Sequence, residues 1–555
     1  MNTLLNLLFL LLFLLSASCG KLNLVEQTTI QPSETSEQLD PPETSEPPNT
    51  NEPPELPEIS DLSGQQEQPP EPFVFIWNIE NNNDGSAIGS IPELPSNYSY
   101  NFNINWGDGN NSKINSYNDS SRYHEYVSAG RYTVTISGLV ESWSSLGTSL
   151  IEVISLGNVG WRNLNGAFYE CSNLTSFSGG ITNKVVNMAN MFHKASSLIN
   201  IDLSSFDTSS VTNMNSMFRK ATSLTNLNLS NFDTSSVMFM NNMFREAVLL
   251  TNINLSSFDT SSVVFMNSMF HEAKALTSVD LSNFDTSSVA SMNNMFNKAV
   301  ALTSIDLSNF DTASVTDMRH MFKEATSLTS IDLSSFNTSA VTSMSHMFYN
   351  ASSLTNINLS SFDTSLVTDM DSMFSRTSSL VSIDLSNFNT SLVTDMNYMF
   401  SDTDTLTHLD LSSLDTSSVI DMDSMFYNAS SLVNINLSNF NTSSVEDMSY
   451  MFYNTSGLTG IDLSSFNTSS VEDMYYMFAG TRNLTSLDLS NFNTSAVTDM
   501  AYMFSGTRNL TSLNLSNWNT ENVNSLENIF DETNISLSIQ CSAPKTSILG
   551  KTCSP

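Results

Sequence analysis

The residues able to do chemistry in this chain are few, and they do not converge. Six histidines, His124, His193, His271, His320, His346 and His408, stand at mostly different places in a repeating pattern. No glycine-rich phosphate loop, metal-spaced His/Cys cluster or nucleophile elbow occurs. The pairs Asp369/Asp371 and Asp421/Asp423 have the oxygen chemistry of a Ca2+ site. Acids at the N-terminus of a solvated helical turn account for them more simply. Twelve copies of M-x-x-M-F, from Met214 and Met217 to Met500 and Met503, offer thioethers suited to Cu(I). A last copy with Leu526 and Ile529 instead, and no accompanying Cys or His column, points to an apolar seam. Asp108, in Trp106-Gly107-Asp108-Gly109, is an isolated candidate acid or Ca2+ ligand. These observations predict a protein that is not an enzyme, with no cofactor and no metal.

The positions that recur do so with a period of 26. Phe206, Phe232, Phe258, Phe284, Phe310, Phe336, Phe362, Phe388, Phe440, Phe466 and Phe492 keep this spacing, with Leu414 and Trp518 in the two remaining slots, thirteen copies in all. A fixed period of this length means a solenoid whose coils bury their apolar faces against each other. In residues 224–249, Leu224, Leu227 and Leu229 have leucine-rich-repeat spacing, and the last two share a face of a short strand. Val237, Met240, Met243 and Phe244 follow at i, i+3, i+4 spacing, which predicts a short helical return. Between them lies a polar corner, Ser230 to Ser235. The Ser after the strand leucine (Ser204, Ser230, Ser256) and the corner Thr (Thr208, Thr234, Thr260) recur in every copy. Both columns are expected to form hydrogen-bond ladders from coil to coil. At about 4.8 Å per strand, thirteen coils would stack to roughly 60 Å.

Surface columns vary where the core does not. After the M-x-x-M-F Phe stand His193, Arg219, Arg245, His271, Asn297, Lys323 and then Tyr349. Later coils replace the bases with Tyr398, Tyr427, Tyr450, Tyr453, Tyr475, Tyr476 and Tyr502. Exposed tyrosine commonly anchors recognition surfaces. The candidate partner-binding residues are therefore Arg219, Arg245, His271, Lys323, Tyr349, Tyr398, Tyr427, Tyr450, Tyr476 and Tyr502. Pairing of the bases with Glu246, Glu272 and Glu324, and tyrosines lying flat on their own coils, is the plainer alternative. A net charge of −37 disfavours nucleic acid and anionic lipid as partners.

Composition divides the rest of the chain. Leu4 to Leu15 has the length of a signal-peptide apolar run and is too short for a bilayer-spanning helix. Ser16-Ala17-Ser18-Cys19 resembles a bacterial lipobox, which implies lipidation at Cys19 and a membrane anchor. A plain secretory signal is the alternative. Residues 20–72 are rich in Pro and Glu and are expected to form a disordered stalk. Residues 73–145 alternate as strands, 146–198 hold atypical first repeats, 199–530 the regular solenoid, and 531–555 a C-terminal cap. Cys541 and Cys553 are candidates for a disulfide across that cap. Cys171 takes the place of a small Ala and is expected to be a buried thiol.

Two resemblances add to this reading. Trp106-Gly107-Asp108-Gly109 with His124-Glu125-Tyr126 and Gly130-Arg131-Tyr132-Thr133-Val134 resembles a PKD-type β-sandwich, which implies that Asp108 is a structural turn residue. Residues 302–322, LTSIDLSNFDTASVTDMRHMF, resemble the repeats of BspA-like bacterial surface proteins over about 150–530. That resemblance implies a surface lipoprotein or secreted adhesin, lipid-anchored to the outer membrane, whose partner is an extracellular protein or glycoprotein of host matrix, host cells or other bacteria. A passive coat protein and a carbohydrate-binding module remain as rival functions.

Overall fold

The computed structural model describes residues 70–542 and 547–554, which belong to one compact unit. The signal segment, Cys19 and nearly all of the expected stalk lie outside the described residues.

The chain enters the unit through β1 (Phe73–Ile79), whose alternation buries Phe73, Phe75, Trp77 and Ile79. β2 (Ala87–Ser90), β3 (Tyr100–Asn105), β4 (Asn111–Ile114), β5 (Tyr123–Tyr126) and β6 (Gly130–Val140) follow. β2 and β5 make a two-stranded ribbon, while β4-β3-β6-β1 form one edge of a larger sheet. That sheet does not stop at residue 145. β1 pairs antiparallel with β7 (Leu150–Ser155), which pairs in parallel with the first coil strand β8 (Ser176–Ser178) and on to β9 (Asn200–Asp202). The N-terminal strands thereby cover the open edge of the solenoid.

From there, short parallel strands stack one coil after another. β10 to β17 are three-residue strands running from Asn226–Asn228 to Ser512–Asn514. Asn226 pairs with Asn252, Leu227 with Ile253 and Asn228 with Asn254, so the 26-residue period is the hydrogen-bond register itself. At the far edge, β18 (Ser538–Gln540) pairs with β20 (Lys551–Ser554), and β19 (Ser547–Ile548) folds back on β20. A Cys541–Cys553 disulfide closes this cap. Cys171 is fully buried beside Ser145, and burial pushes its thiol up to about 11.

The return segment is not helical, which corrects the expectation from its apolar spacing. The described residues contain no α-helix, only two short 3-10 turns, Ser120–Arg122 and Gly147–Ser149. In the coil around Met240, bonds from Met243 N to Met240 O (3.3 Å) and from Arg245 N to Asn242 O (3.1 Å) close two successive tight turns. A third bond, from Ala247 N to Phe244 O (3.1 Å), closes another turn, and Asn242 and Glu246, third in turns 240–243 and 244–247, lie in the left-handed region at φ 58° and 60°. Alternate amides leave the coil altogether. Met240, Asn242, Phe244 and Glu246 donate to carbonyls of Phe265, Asn267, Met269 and His271 at 2.7–3.2 Å. An α-helix keeps such amides within its own turns. Here they join coil to coil, and a three-residue turn period points the same side chains inward as a helix would.

The core repeats with the period. Met240 and Met243 are fully buried, as is every counterpart through Met500 and Met503, so the methionines are packing residues. Between them runs an unbroken face-to-face stack of phenylalanines from Phe168 through Phe348 to Phe530, with centroids 5.4–6.0 Å apart.

Of the two hydroxyl columns, only threonine forms a ladder. Thr338 Oγ1 donates to Asp363 O (2.8 Å) and accepts from Asp363 N (2.9 Å), one coil on, and Thr364 does the same with Asn389. Ser204, Ser230 and Ser256 are exposed, and their amides are capped by the Asp or Asn two residues earlier. Thr338→Val keeps the shape but leaves both backbone groups of Asp363 without their side-chain partner. It is expected to destabilise the stack by about 2–4 kcal/mol, read as a lower urea midpoint. A change below about 0.5 kcal/mol would mean the ladder carries no net stability.

Candidate binding surface

The return segments present their variable residues in four columns, set by the turns just described. One precedes the first Met, one lies between the methionines, one stands third in the first turn in the left-handed region, and one follows the Phe. The sequence places a basic stripe over residues 193–323 and a tyrosine-rich one over 349–502; the structure divides the tyrosines among several of these columns.

The basic row is largely covered and partly ion-paired. His193 and His271 are each only 8% exposed, and the Arg219 and Arg245 side chains 16% and 22%. Glu246 takes three cations, with Arg219 at 4.0 Å, Lys220 at 3.3 Å and Arg245 at 3.4 Å. Glu272 takes Lys274 at 2.9 Å, Lys298 at 3.7 Å and His271 at 3.7 Å. Burial and the neighbouring cations hold His193 down to about 4, and burial holds His271 and His320 down to about 3. These imidazoles are neutral at pH 7, so the row is not the open basic stripe expected from its spacing.

Lys323 also meets an aromatic ring. Its ammonium lies 5.2 Å from the Tyr349 ring centroid, and Arg376 covers the same ring at 5.4 Å. Tyr349 is thus held between two cations, apart from the other tyrosines. Sequence spacing gave no sign of Arg376, which reaches Tyr349 from the next coil.

The later tyrosines meet in one cluster built from three columns. Tyr427 stacks on Tyr453 at 4.9 Å; Tyr450 on Tyr476 at 5.2 Å; and Tyr476 on Tyr502 at 4.5 Å. Tyr475 packs edge-on against Tyr450 and Tyr476, and Tyr453 against Tyr450 and Tyr476. The clustered rings are half-buried, while Tyr398, one coil before Tyr427, is 39% exposed. Tyr427, Tyr450 and Tyr476 each stack on a ring of the next coil, while Tyr450–Tyr453 and Tyr475–Tyr476 touch edge-on within a coil. Tyr453 and Tyr475, named among the later tyrosines in the sequence but not among the candidate binding residues, complete the cluster.

Beside the rings runs a row of carboxylates at the bridge positions Asp369, Asp395, Asp421, Asp447, Asp473 and Asp499. Their first task is local: Asp447 Oδ1 accepts from Ser449 N (2.7 Å), Asp473 Oδ1 from Tyr475 N (2.8 Å) and Asp499 Oδ1 from Ala501 N (2.8 Å). Asp369 and Asp421 cap Asp371 and Asp423 in the same way, so the expected helix N-terminal acids are turn caps instead. Burial and like-charge neighbours push Asp423 and Asp473 up to about 6. Among the described residues, no group of three His, Cys, Asp or Glu side chains is arranged to hold a metal ion.

Asp108 takes a structural role. It accepts from Asn110 N at 3.0 Å and Asn110 Nδ2 at 3.1 Å, and meets His124 Nε2 at 2.7 Å. Desolvation opposes its charge, but these bonds prevail and hold its carboxyl down to about 2.

One family model matches at residues 162–279, 276–379, 353–460 and 433–540; its description is "Mycoplasma protein of unknown function, DUF285". No curated protein matches. Among solved structures, the chain is similar to a leucine-rich cell surface protein of Faecalibacterium prausnitzii, at 19% identity over 62% of this chain and 94% of that one, with a TM-score of 0.33. A leucine-rich-repeat protein of Leptospira interrogans matches at 11% identity, over 72% and 100% of the two chains, with a TM-score of 0.21. The functional domain of InlJ from Listeria monocytogenes matches at 14% identity, over 66% and 73%, also with a TM-score of 0.21.

Proposed function

The chain belongs to the DUF285 family, and from that premise we propose that it is a non-enzymatic surface scaffold that binds an extracellular protein or glycoprotein through the return face of its coils. The observation that carries this reading is the tyrosine cluster from Tyr427 to Tyr502, an aromatic surface on a stack whose other exposed positions are mostly Ser, Thr, Asn and Asp. Large, rigid aromatic rings at a surface supply contact area at little entropic cost. The BspA-like character of the repeats supports adhesion as the role, and the lipobox-like Ser16 to Cys19 supports a lipid anchor on the bacterial surface.

The test is binding of the full chain to immobilised matrix proteins, mucins and bacterial surfaces. Saturable binding to a protein or glycoprotein is expected. Uniform failure would favour a passive coat, and binding only to free glycans would favour a carbohydrate module. For the anchor, Cys19→Ala is expected to move the protein from the detergent phase to the aqueous phase of a detergent partition; a wild type already in the aqueous phase would refute lipidation.

A further inference from the structure

One of the three tyrosine columns occupies a backbone position that does not suit it. Tyr398, Tyr450, Tyr476 and Tyr502 have φ of 51°, 53°, 55° and 58°. Other coils fill the same position mostly with Asn or Ser, from Asn190 and Ser216 to Ser424 and Asn528, and twice with another ring, His320 and His346. Asn tolerates the left-handed region because its short amide bonds locally, whereas a bulky side chain there is strained by roughly 1 kcal/mol or more. These tyrosines are not core residues, since the coil interior is already filled by Met and Phe. Stacking between rings offsets part of the strain, but Asn would avoid it entirely. Strain retained at a surface position points to a use outside the fold.

The surroundings select the kind of partner. Asp447, Asp473 and Asp499 lie three residues before Tyr450, Tyr476 and Tyr502. Among the described residues, hydrogen bonds reach their Oδ1 atoms and none reaches Oδ2. Glu446 and Glu472, exposed, stand one residue further upstream. No Lys or Arg occurs between Arg376 and Arg482. Arg482 and Arg508 share the coils of Asp473 and Asp499, but among the described residues neither pairs with these carboxylates, and Arg508 pairs with Glu532. Aromatic faces edged by uncompensated carboxylates attract a cation twice, through the ring quadrupole and through charge. At Tyr349 the chain makes this contact with its own Lys323 and Arg376. Among the described residues, no Lys or Arg makes this contact at Tyr450, Tyr476 or Tyr502.

Resting on the scaffold reading, we infer that the tyrosine ladder Tyr450-Tyr476-Tyr502, edged by Asp447, Asp473 and Asp499, docks a Lys- or Arg-bearing polypeptide segment of the partner. The cationic heads meet the carboxylates and the aliphatic stems lie across the rings. An anionic partner is repelled by the same row.

Two variants test this without disturbing the coil. Tyr450→Asn, Tyr476→Asn and Tyr502→Asn together place at the strained position a residue that earlier coils already carry. Asp447→Asn, Asp473→Asn and Asp499→Asn together keep Oδ1 for the turn cap, as Asn187 and Asn213 do in their coils. Full-chain protein is titrated with an alternating lysine–glycine peptide, a glutamate–glycine peptide and a neutral oligosaccharide at pH 7.4. The lysine peptide is expected to bind, the glutamate peptide not to, and each triple variant to weaken binding by about tenfold or more. Binding of the lysine peptide that is unchanged in both variants overturns the inference, as does oligosaccharide binding that is lost in the tyrosine variant while the lysine peptide fails. A protein from the matrix panel that binds wild type and both variants equally would sink the inference and leave the scaffold reading standing. Binding of the lysine peptide at the ladder with no hit in the panel would do the reverse.

Discussion

Phe348→Ala is expected to destabilise the centre of the stack by about 3–5 kcal/mol and to divide its unfolding in two. Phe348 is fully buried and stacks face to face on Phe322 at 5.7 Å and on Phe374 at 5.8 Å. Removing the ring opens a cavity between two coils at once. In a solenoid each coil is held by its neighbours, so weakening one interface decouples the blocks on either side. The expected urea transition is broader or biphasic, with amide exchange fastest in the coils bracketing residue 348. A single sharp transition shifted by less than about 1 kcal/mol would show that the phenylalanine stack does not couple the coils.

Mild acid is expected to act with opposite sign on the two halves of the solenoid. In the first half, burial holds His193 down to about 4, and His271 and His320 to about 3. The unfolded chain takes up protons on these residues below pH 6.5, while the folded chain does not. The stability they contribute is complete above that pH and is lost as pH falls towards 3–4. At pH 5 the loss is about 2 kcal/mol for each histidine, at about 1.4 kcal/mol per pH unit. In the second half, Asp423 and Asp473 are raised to about 6. Their folded forms bind protons between pH 6 and about 4, where the unfolded carboxyls remain charged, so acid stabilises these coils. The gain at pH 5 is about 1.4 kcal/mol each. His346 and Asp371, 3.2 Å apart, mark the boundary where the two effects oppose. The exposed carboxylates with lowered pKa values, such as Asp280 and Asp462, act below pH 4 and lie outside this window. Amide exchange at pH 7 and pH 5, corrected for intrinsic rates, should show protection falling over 190–325 and rising over 420–475. A uniform change along the stack would refute the prediction.

Much of this molecule is present in its one-dimensional pattern. The 26-residue period, the leucine and phenylalanine columns and the corner threonines specify a stack because each coil repeats the same inward residues. Neighbouring coils can pair in only the register that aligns them, Asn226 with Asn252 and Leu227 with Ile253. The burial of the methionines was legible too, since Leu526 and Ile529 replace them in one copy.

Tertiary structure alone decided the rest. The spacing of Val237, Met240, Met243 and Phe244 fits a helix and a chain of three-residue turns equally well. The turns prevail because the amides of Met240, Asn242 and Phe244 bond to the next coil, a partner no local pattern reveals. The same turns separate tyrosines that look like one stripe into distinct columns. Which rings touch then depends on the coil-to-coil stagger that brings Tyr427 against Tyr450 and Tyr453 against Tyr476. Charge followed the same rule: Arg219 and Arg245 are basic in sequence, yet both pair with Glu246 because stacking sets its carboxylate among cations from successive coils. A sequence repeat determines which residues share a column, and only the packed coils determine which columns meet.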